Sequence, residues 1–131
     1  MTDPRSGIVY MTEDCGDPAD GFYRYLPDNP RKLHEGGRLQ MLAVQGRSRY
    51  DTPHGQKVGR KLRCAWVAID DPDPEDADQR PNAVFQQGRE KGAAQFMALE
   101  GRSGRAAAPT SPPAKAATTN SVRSGATRRR G

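Results

Sequence analysis

The chain has 131 residues, of which 34% are hydrophobic and 28% are charged, and its formal net charge is +5. Its mean hydropathy of −0.92 is strongly polar, so this chain has little apolar surface to offset the entropy cost of ordering its backbone. No apolar run reaches the roughly 18 residues of a membrane-spanning helix, and Cys15 and Cys64 lack the close spacing of a zinc site.

The excess positive charge lies in the C-terminal part of the chain. Residues 1–100 carry 14 Lys and Arg against 16 Asp and Glu, whereas residues 101–131 carry 7 Lys and Arg and no acid. That last stretch contains no Leu, Ile, Met or aromatic residue, so it cannot add to a core. We therefore predict a folded unit over residues 1–101 and a disordered basic tail over residues 102–131.

The first predicted element is a pair of strands, Gly7–Thr12 and Gly21–Leu26, which are rich in β-branched and aromatic residues. The turn between them holds four carboxylates in eight residues, namely Glu13, Asp14, Asp17 and Asp20. Glu13 and Asp14 close the first strand, where carboxylates are suitable ligands for Ca²⁺. A solvated acidic turn explains the same residues, and both interpretations stay open. The simpler reading of Cys15 and Cys64 is two free thiols, with a disulfide as the alternative.

Two more strands are predicted, Arg38–Val44 and Leu62–Ile69, with a polar loop between them. The second strand ends at the acidic, proline-containing run Asp70–Asp78, which indicates a surface loop or a weak Ca²⁺ site. Asn82–Lys91 is the predicted helix, with Asn82 as its cap. The alternation in Ala93–Glu100 favours a final strand.

Four motifs follow one another over about residues 3–101: GIVYMTED, GFYRYLP, GGRLQMLAV and AWVAIDDPDP. In this order and spacing they resemble an internal part of the PhoX-type alkaline phosphatase family. The resemblance implies a secreted or periplasmic, metal-dependent phosphatase built as a β-propeller. For this chain it implies a mainly β fold, with antiparallel strands forming one or two blades of an incomplete propeller, one short helix and the disordered tail.

The resemblance also implies metal ligands. Glu13, Asp14 and the Glu100 of a Leu99-Glu100-Gly101 motif are then predicted to bind metal in a centre of Ca²⁺ and Fe³⁺ that acts on a phosphate ester. No catalytic side chain is assigned, and Cys15 is left out of the ligand set. Because a propeller site draws ligands from several blades, the chain alone is expected to be inactive.

Other interpretations remain at this level. Family members continue into further blades after the motif that ends at Gly101, whereas this chain does not resemble them there, which suggests a frameshift or premature stop. Met1–Gly7 lacks a signal peptide, so the chain as it stands is expected in the cytoplasm. The alternative function is a small non-enzymatic β module whose basic tail attracts nucleic acid without specificity. A pseudogene remnant with aggregating strand edges is the third.

Overall fold

A computed structural model describes residues 1–14, Gly16 and 19–100, which form one antiparallel sheet and one helix. The strands are β1 (Val9–Glu13), β2 (Gly21–Pro27), β3 (Gly37–Val44) and β4 (Cys64–Ala68), in the spatial order β1-β2-β3-β4. A 3₁₀ turn (Leu33–Glu35) joins β2 to β3, and helix α1 (Ala83–Glu90) follows β4. The predicted mainly β, antiparallel fold with one short helix is confirmed. The predicted disordered tail, residues 102–131, lies outside the described residues, as do Cys15 and Asp17.

The strand register builds one row of side chains across the sheet. Met11 pairs with Tyr23, Tyr23 with Met41, and Met41 with Val67. Directly opposed residues point to the same face of a sheet. On that face, the buried core comprises Tyr23, Met41, Ile69, Phe85 and Ala93.

Helix α1 covers this face of the sheet. Phe85 and Gly88 are buried, and Val84 packs against the core, as the predicted helix face requires. A Cβ at Gly88 would overlap the Met41 side chain, so glycine lets the helix approach closely. The predicted cap is wrong in one respect: Asn82 precedes α1, but its side chain makes no capping hydrogen bond. Its φ of −97° and ψ of 15° differ from the extended backbone that directs a capping side chain to the first helical N–H groups.

The opposite face of the sheet carries an aromatic cluster of half-buried rings. Its members are Tyr10, Phe22, Trp66 and Phe96, with ring centroids 6.2–6.4 Å apart. The Arg24 guanidinium lies 4.4 Å from the Trp66 ring centroid, a cation–π distance. Both faces of the sheet therefore pack side chains, as the apolar residues on both sides of the predicted strands indicated.

The predicted strand over Ala93–Glu100 is wrong, because this segment forms only isolated bridges. The Ala94 N–H donates to the Leu42 carbonyl at 2.9 Å, and the Gln95 N–H donates to the Tyr50 carbonyl. The Phe96 N–H donates to the Asp20 carbonyl at 3.0 Å. Three consecutive residues thus bond to three different segments, so no ladder with one neighbour develops. Ala98, with a positive φ of 54°, then turns the chain. None of the described helices is long and apolar enough to cross a membrane.

Candidate functional site

The two segments that carry the predicted ligands meet at one end of the sheet. The Thr12 hydroxyl donates a hydrogen bond to the Glu100 carbonyl at 3.0 Å, across 88 positions of sequence. The Leu99 N–H donates to Asp20 Oδ2 at 2.8 Å. Leu99-Glu100 is therefore fixed beside the end of β1 and the start of β2.

Glu13 is the last residue of β1 and is half-buried. It lies opposite Gly21, and its carboxylate accepts a hydrogen bond from the Tyr23 hydroxyl. The carboxylate borders a small, mostly apolar cavity of about 200 Å³. The residues that line this cavity are Met11, Thr12, Glu13, Tyr23, Leu39 and Val84. Glu13 is thus positioned by the sheet and held by a specific donor.

The three predicted ligands reach the same end of the sheet without converging on one point. Successive strand residues point to opposite faces, so Glu13 lies on the Tyr23 face while Thr12, which binds Glu100, lies on the other. Asp14 and Glu100 are exposed. Among residues 1–14, 16 and 19–100, no three His, Cys, Asp or Glu side chains are grouped to hold a metal ion. The described carboxylates are hard-oxygen donors of the right chemistry, but they do not form a closed metal centre.

The acidic run after β4 is engaged with a nearby arginine. Arg80 binds both oxygens of Asp76, with Nε–Oδ2 and Nη2–Oδ1 distances of 2.5 and 2.9 Å. These hydrogen bonds hold the pKa of the Asp76 carboxyl below its usual value. This contact favours the surface-loop interpretation of Asp70–Asp78.

Arg24 and Arg38 are two strand arginines whose guanidinium groups have the chemistry to bind a phosphate, and Arg24 is already engaged. Its Nε donates to Gln40 Oε1 at 2.7 Å, and its guanidinium stacks on Trp66. The other, Arg38, is exposed. His54 is exposed too, and its ring lies 3.1 Å from Asp51 in the same loop.

Two residues that organise this end of the sheet were not predicted as site residues. Asp20 is the buried polar residue of the described part, with no exposed surface, although it looked like one of four similar turn carboxylates. Tyr23 was assigned to a strand face, and its hydroxyl partner Glu13 was not foreseen. For Asp20, the available signal is its position directly before the first residue of the strand.

Replacing Tyr23 by phenylalanine is expected to lower the free energy of unfolding by about 1–1.5 kcal/mol, because the hydrogen bond to Glu13 is lost while the ring stays. Urea denaturation of Tyr23→Phe, Glu13→Gln and the double variant measures the coupling between the two side chains. Tyr25→Phe is the matched control, since its hydroxyl donates to the Leu33 carbonyl at an exposed position. Equal losses in the two phenylalanine variants would contradict a specific Tyr23–Glu13 contact.

Comparison with known proteins adds one finding. A family model described as alkaline phosphatase PhoX matches residues 1–115 of the chain. No curated protein and no solved structure matches it. The matched range includes the whole described sheet and both segments that meet at the ends of β1 and β2. The chain belongs to the PhoX family of alkaline phosphatases.

Proposed function

We propose that this chain serves the hydrolysis of phosphate monoesters as part of a PhoX-type phosphatase, where it supplies some of the carboxylates of a metal centre. The observation that carries the proposal is the family match over residues 1–115. The hydrogen bond from Thr12 to the Glu100 carbonyl supports it, because it brings two acidic segments that are distant in sequence to the same end of the sheet. The family consists of secreted or periplasmic enzymes, and we propose the same compartment for the protein.

The sheet has the form that this role requires. A propeller blade is a four-stranded sheet, and several blades surround a central channel. The order β1-β2-β3-β4 with antiparallel neighbours is compatible with one blade. The half-buried aromatic cluster around Trp66 provides apolar surface on the face opposite α1, and we propose that a neighbouring blade packs there.

The metal centre is expected to need more ligands than this chain supplies. Ca²⁺ takes six to eight oxygen ligands, and a bound metal can neutralise phosphoryl charge and lower the pKa of a water. Glu13, Asp14 and Glu100 are the side chains that we propose as the contribution of this chain. Because they do not converge by themselves, the isolated polypeptide should bind metal weakly and should not turn over substrate.

The activity test uses the purified 131-residue chain with p-nitrophenyl phosphate, Ca²⁺ and Fe³⁺. We expect release of p-nitrophenol at the same rate as in the Glu13→Ala and Glu100→Ala variants, which is the background rate. Turnover that is present in the wild type and lost in both variants would contradict the expected inactivity of the isolated chain.

Terbium luminescence tests the ligand assignment without any activity. Tb³⁺ replaces Ca²⁺ at oxygen sites, and a tyrosine close to the bound ion sensitises its emission. We expect emission sensitised by Tyr23 that falls in Glu13→Ala, while Glu90→Ala, an exposed acid of α1, leaves it unchanged. Equal emission from Glu13→Ala, Asp14→Ala, Glu100→Ala and the wild type would contradict the assignment of these carboxylates.

A further inference from the structure

The two outer edges of the sheet differ. The first residues of the chain cover part of the β1 edge, because the Met1 amino group donates to the Tyr10 carbonyl at 2.8 Å and the Tyr10 N–H donates back at 2.7 Å. On the other side, β4 follows β3 and is the last strand of the sheet. No described segment pairs with its outer edge.

The pattern of hydrogen bonds fixes which backbone groups of β4 point outward. The Ile69 N–H donates to Leu39 and the Gln45 N–H donates to Arg63, both at 2.9 Å. The odd-numbered residues of β4 therefore direct their backbone N–H and C=O groups toward β3, and the even-numbered residues direct theirs away from it. The outward residues are Cys64, Trp66 and Ala68. Within the described part of the chain, one of these outward groups has a partner: the Ala68 carbonyl accepts a hydrogen bond from Lys91 Nζ at 2.9 Å.

Lys91 bonds the Ala68 carbonyl and Asp70 at one end of the outer strand, but the strand itself lacks the residues that usually protect an edge. Its sequence CAWVA contains no charged residue and no proline, whereas protected edges carry lysine, proline or bulges. Cys64 and Ala68 are exposed, so a second strand can approach the backbone at both ends. An uncharged, proline-free edge of this kind favours pairing with another strand.

Charges on either side of β4 indicate what the second strand is. Three basic residues precede the strand and three acidic residues follow it within a few positions, namely Arg60, Lys61 and Arg63, and Asp70, Asp71 and Asp73. Two copies of this segment placed antiparallel bring the basic end of each beside the acidic end of the other. With Trp66 at the two-fold axis, the segment that carries Lys61 in one copy comes beside the segment that carries Asp71 in the other.

We propose that β4 pairs antiparallel with β4 of a second copy of this chain, joining two four-stranded sheets into one continuous sheet. The contact is isologous, as expected for a two-fold dimer. It does not depend on the proposed phosphatase role. The edge is much smaller than the roughly 800 Å² per partner of a stable interface, so the dimer should be weak and concentration-dependent. Pairing replaces the contact of Lys91 with the Ala68 carbonyl.

Sedimentation equilibrium of the full 131-residue chain, with reductant present to keep Cys64 reduced, tests the pairing. We expect a monomer–dimer equilibrium whose dissociation constant rises about tenfold or more in Lys61→Glu and in Asp71→Lys, because each places like charges opposite one another at two positions. Both side chains are exposed, and circular dichroism verifies that the variants fold.

The decisive experiment mixes the two variants. A Lys61→Glu chain paired with an Asp71→Lys chain has opposite charges at both positions, so the mixture should recover the wild-type dissociation constant. Arg5→Glu, an exposed change of the same charge near the other edge, should leave association unchanged. A wild-type monomer at all concentrations would overturn the proposal, and so would a dimer that responds equally to Arg5→Glu or is not recovered by mixing.

Discussion

Replacing Met41 by alanine is expected to lower the free energy of unfolding by about 2–5 kcal/mol, the range for truncating a buried methionine. Met41 has no exposed surface. It pairs with Tyr23 on one side and Val67 on the other, and Gly88 of α1 packs directly on its sulfur. The truncation therefore opens a cavity between the sheet and the only described helix.

The size of this loss matters because the core is small. Nine hydrophobic residues are buried in the described part, and domains in general are stable by only about 5–15 kcal/mol. Urea denaturation followed by circular dichroism measures the change. Met97→Ala is the control, since Met97 is 47% exposed and should cost less than about 1 kcal/mol. Similar losses in both variants would contradict the placement of Met41 at the centre of the core.

The strands were predictable because their signal is local. Gly21–Leu26 was expected to be a strand from its β-branched and aromatic content, and β2 spans Gly21–Pro27. The apolar run around Trp66 likewise contains β4, although the strand is shorter than predicted, at Cys64–Ala68. Alternation within a few residues decides which face each side chain takes, and it places Trp66 on one packed face and Val67 and Ile69 on the other.

The final segment was mispredicted because its conformation depends on distant partners. Ala93 and Ala94 have no exposed surface, and such small side chains let the backbone fit between Leu42, Tyr50 and Asp20. The alternation of Phe96, Ala98 and Glu100 looks like a strand in isolation. Tertiary hydrogen bonds to three separate segments override this local pattern.

The candidate site was predictable only in part, because some of its contacts also join distant segments. Glu13 and Glu100 could be selected from motifs, and the structure brings their segments to one end of the sheet through Thr12. The residues that fix this arrangement could not be selected, because a contact such as that of Asp20 with the Leu99 N–H spans 79 positions. Asp20 differs from its acidic neighbours in standing directly before the strand, but this position does not reveal its distant partner.

Asp20 is expected to be the residue that fixes Leu99-Glu100 beside β1. Its Oδ2 accepts the Leu99 N–H at 2.8 Å, while its backbone exchanges hydrogen bonds with Phe96. Replacing Asp20 by alanine keeps the backbone bonds but leaves the Leu99 N–H without its acceptor. Leaving a partly buried donor unsatisfied costs about 1–3 kcal/mol, and we expect this loss in the free energy of unfolding.

Two measurements separate this role from general destabilisation. In Asp20→Ala, hydrogen exchange should accelerate more at the Leu99 amide than at the Tyr23 amide in the centre of the sheet, whose acceleration should not exceed that set by the loss of global stability. Asp20→Asn retains an acceptor oxygen and should restore most of the protection, whereas the exposed control Asp78→Ala should alter neither amide. The Leu99 contact is the one next to Glu100, so a local role should appear there first. Uniform loss of protection across the sheet would instead make Asp20 a general stabilising residue. The proposed ligand Glu100 would then have to be fixed through the hydroxyl of Thr12 alone.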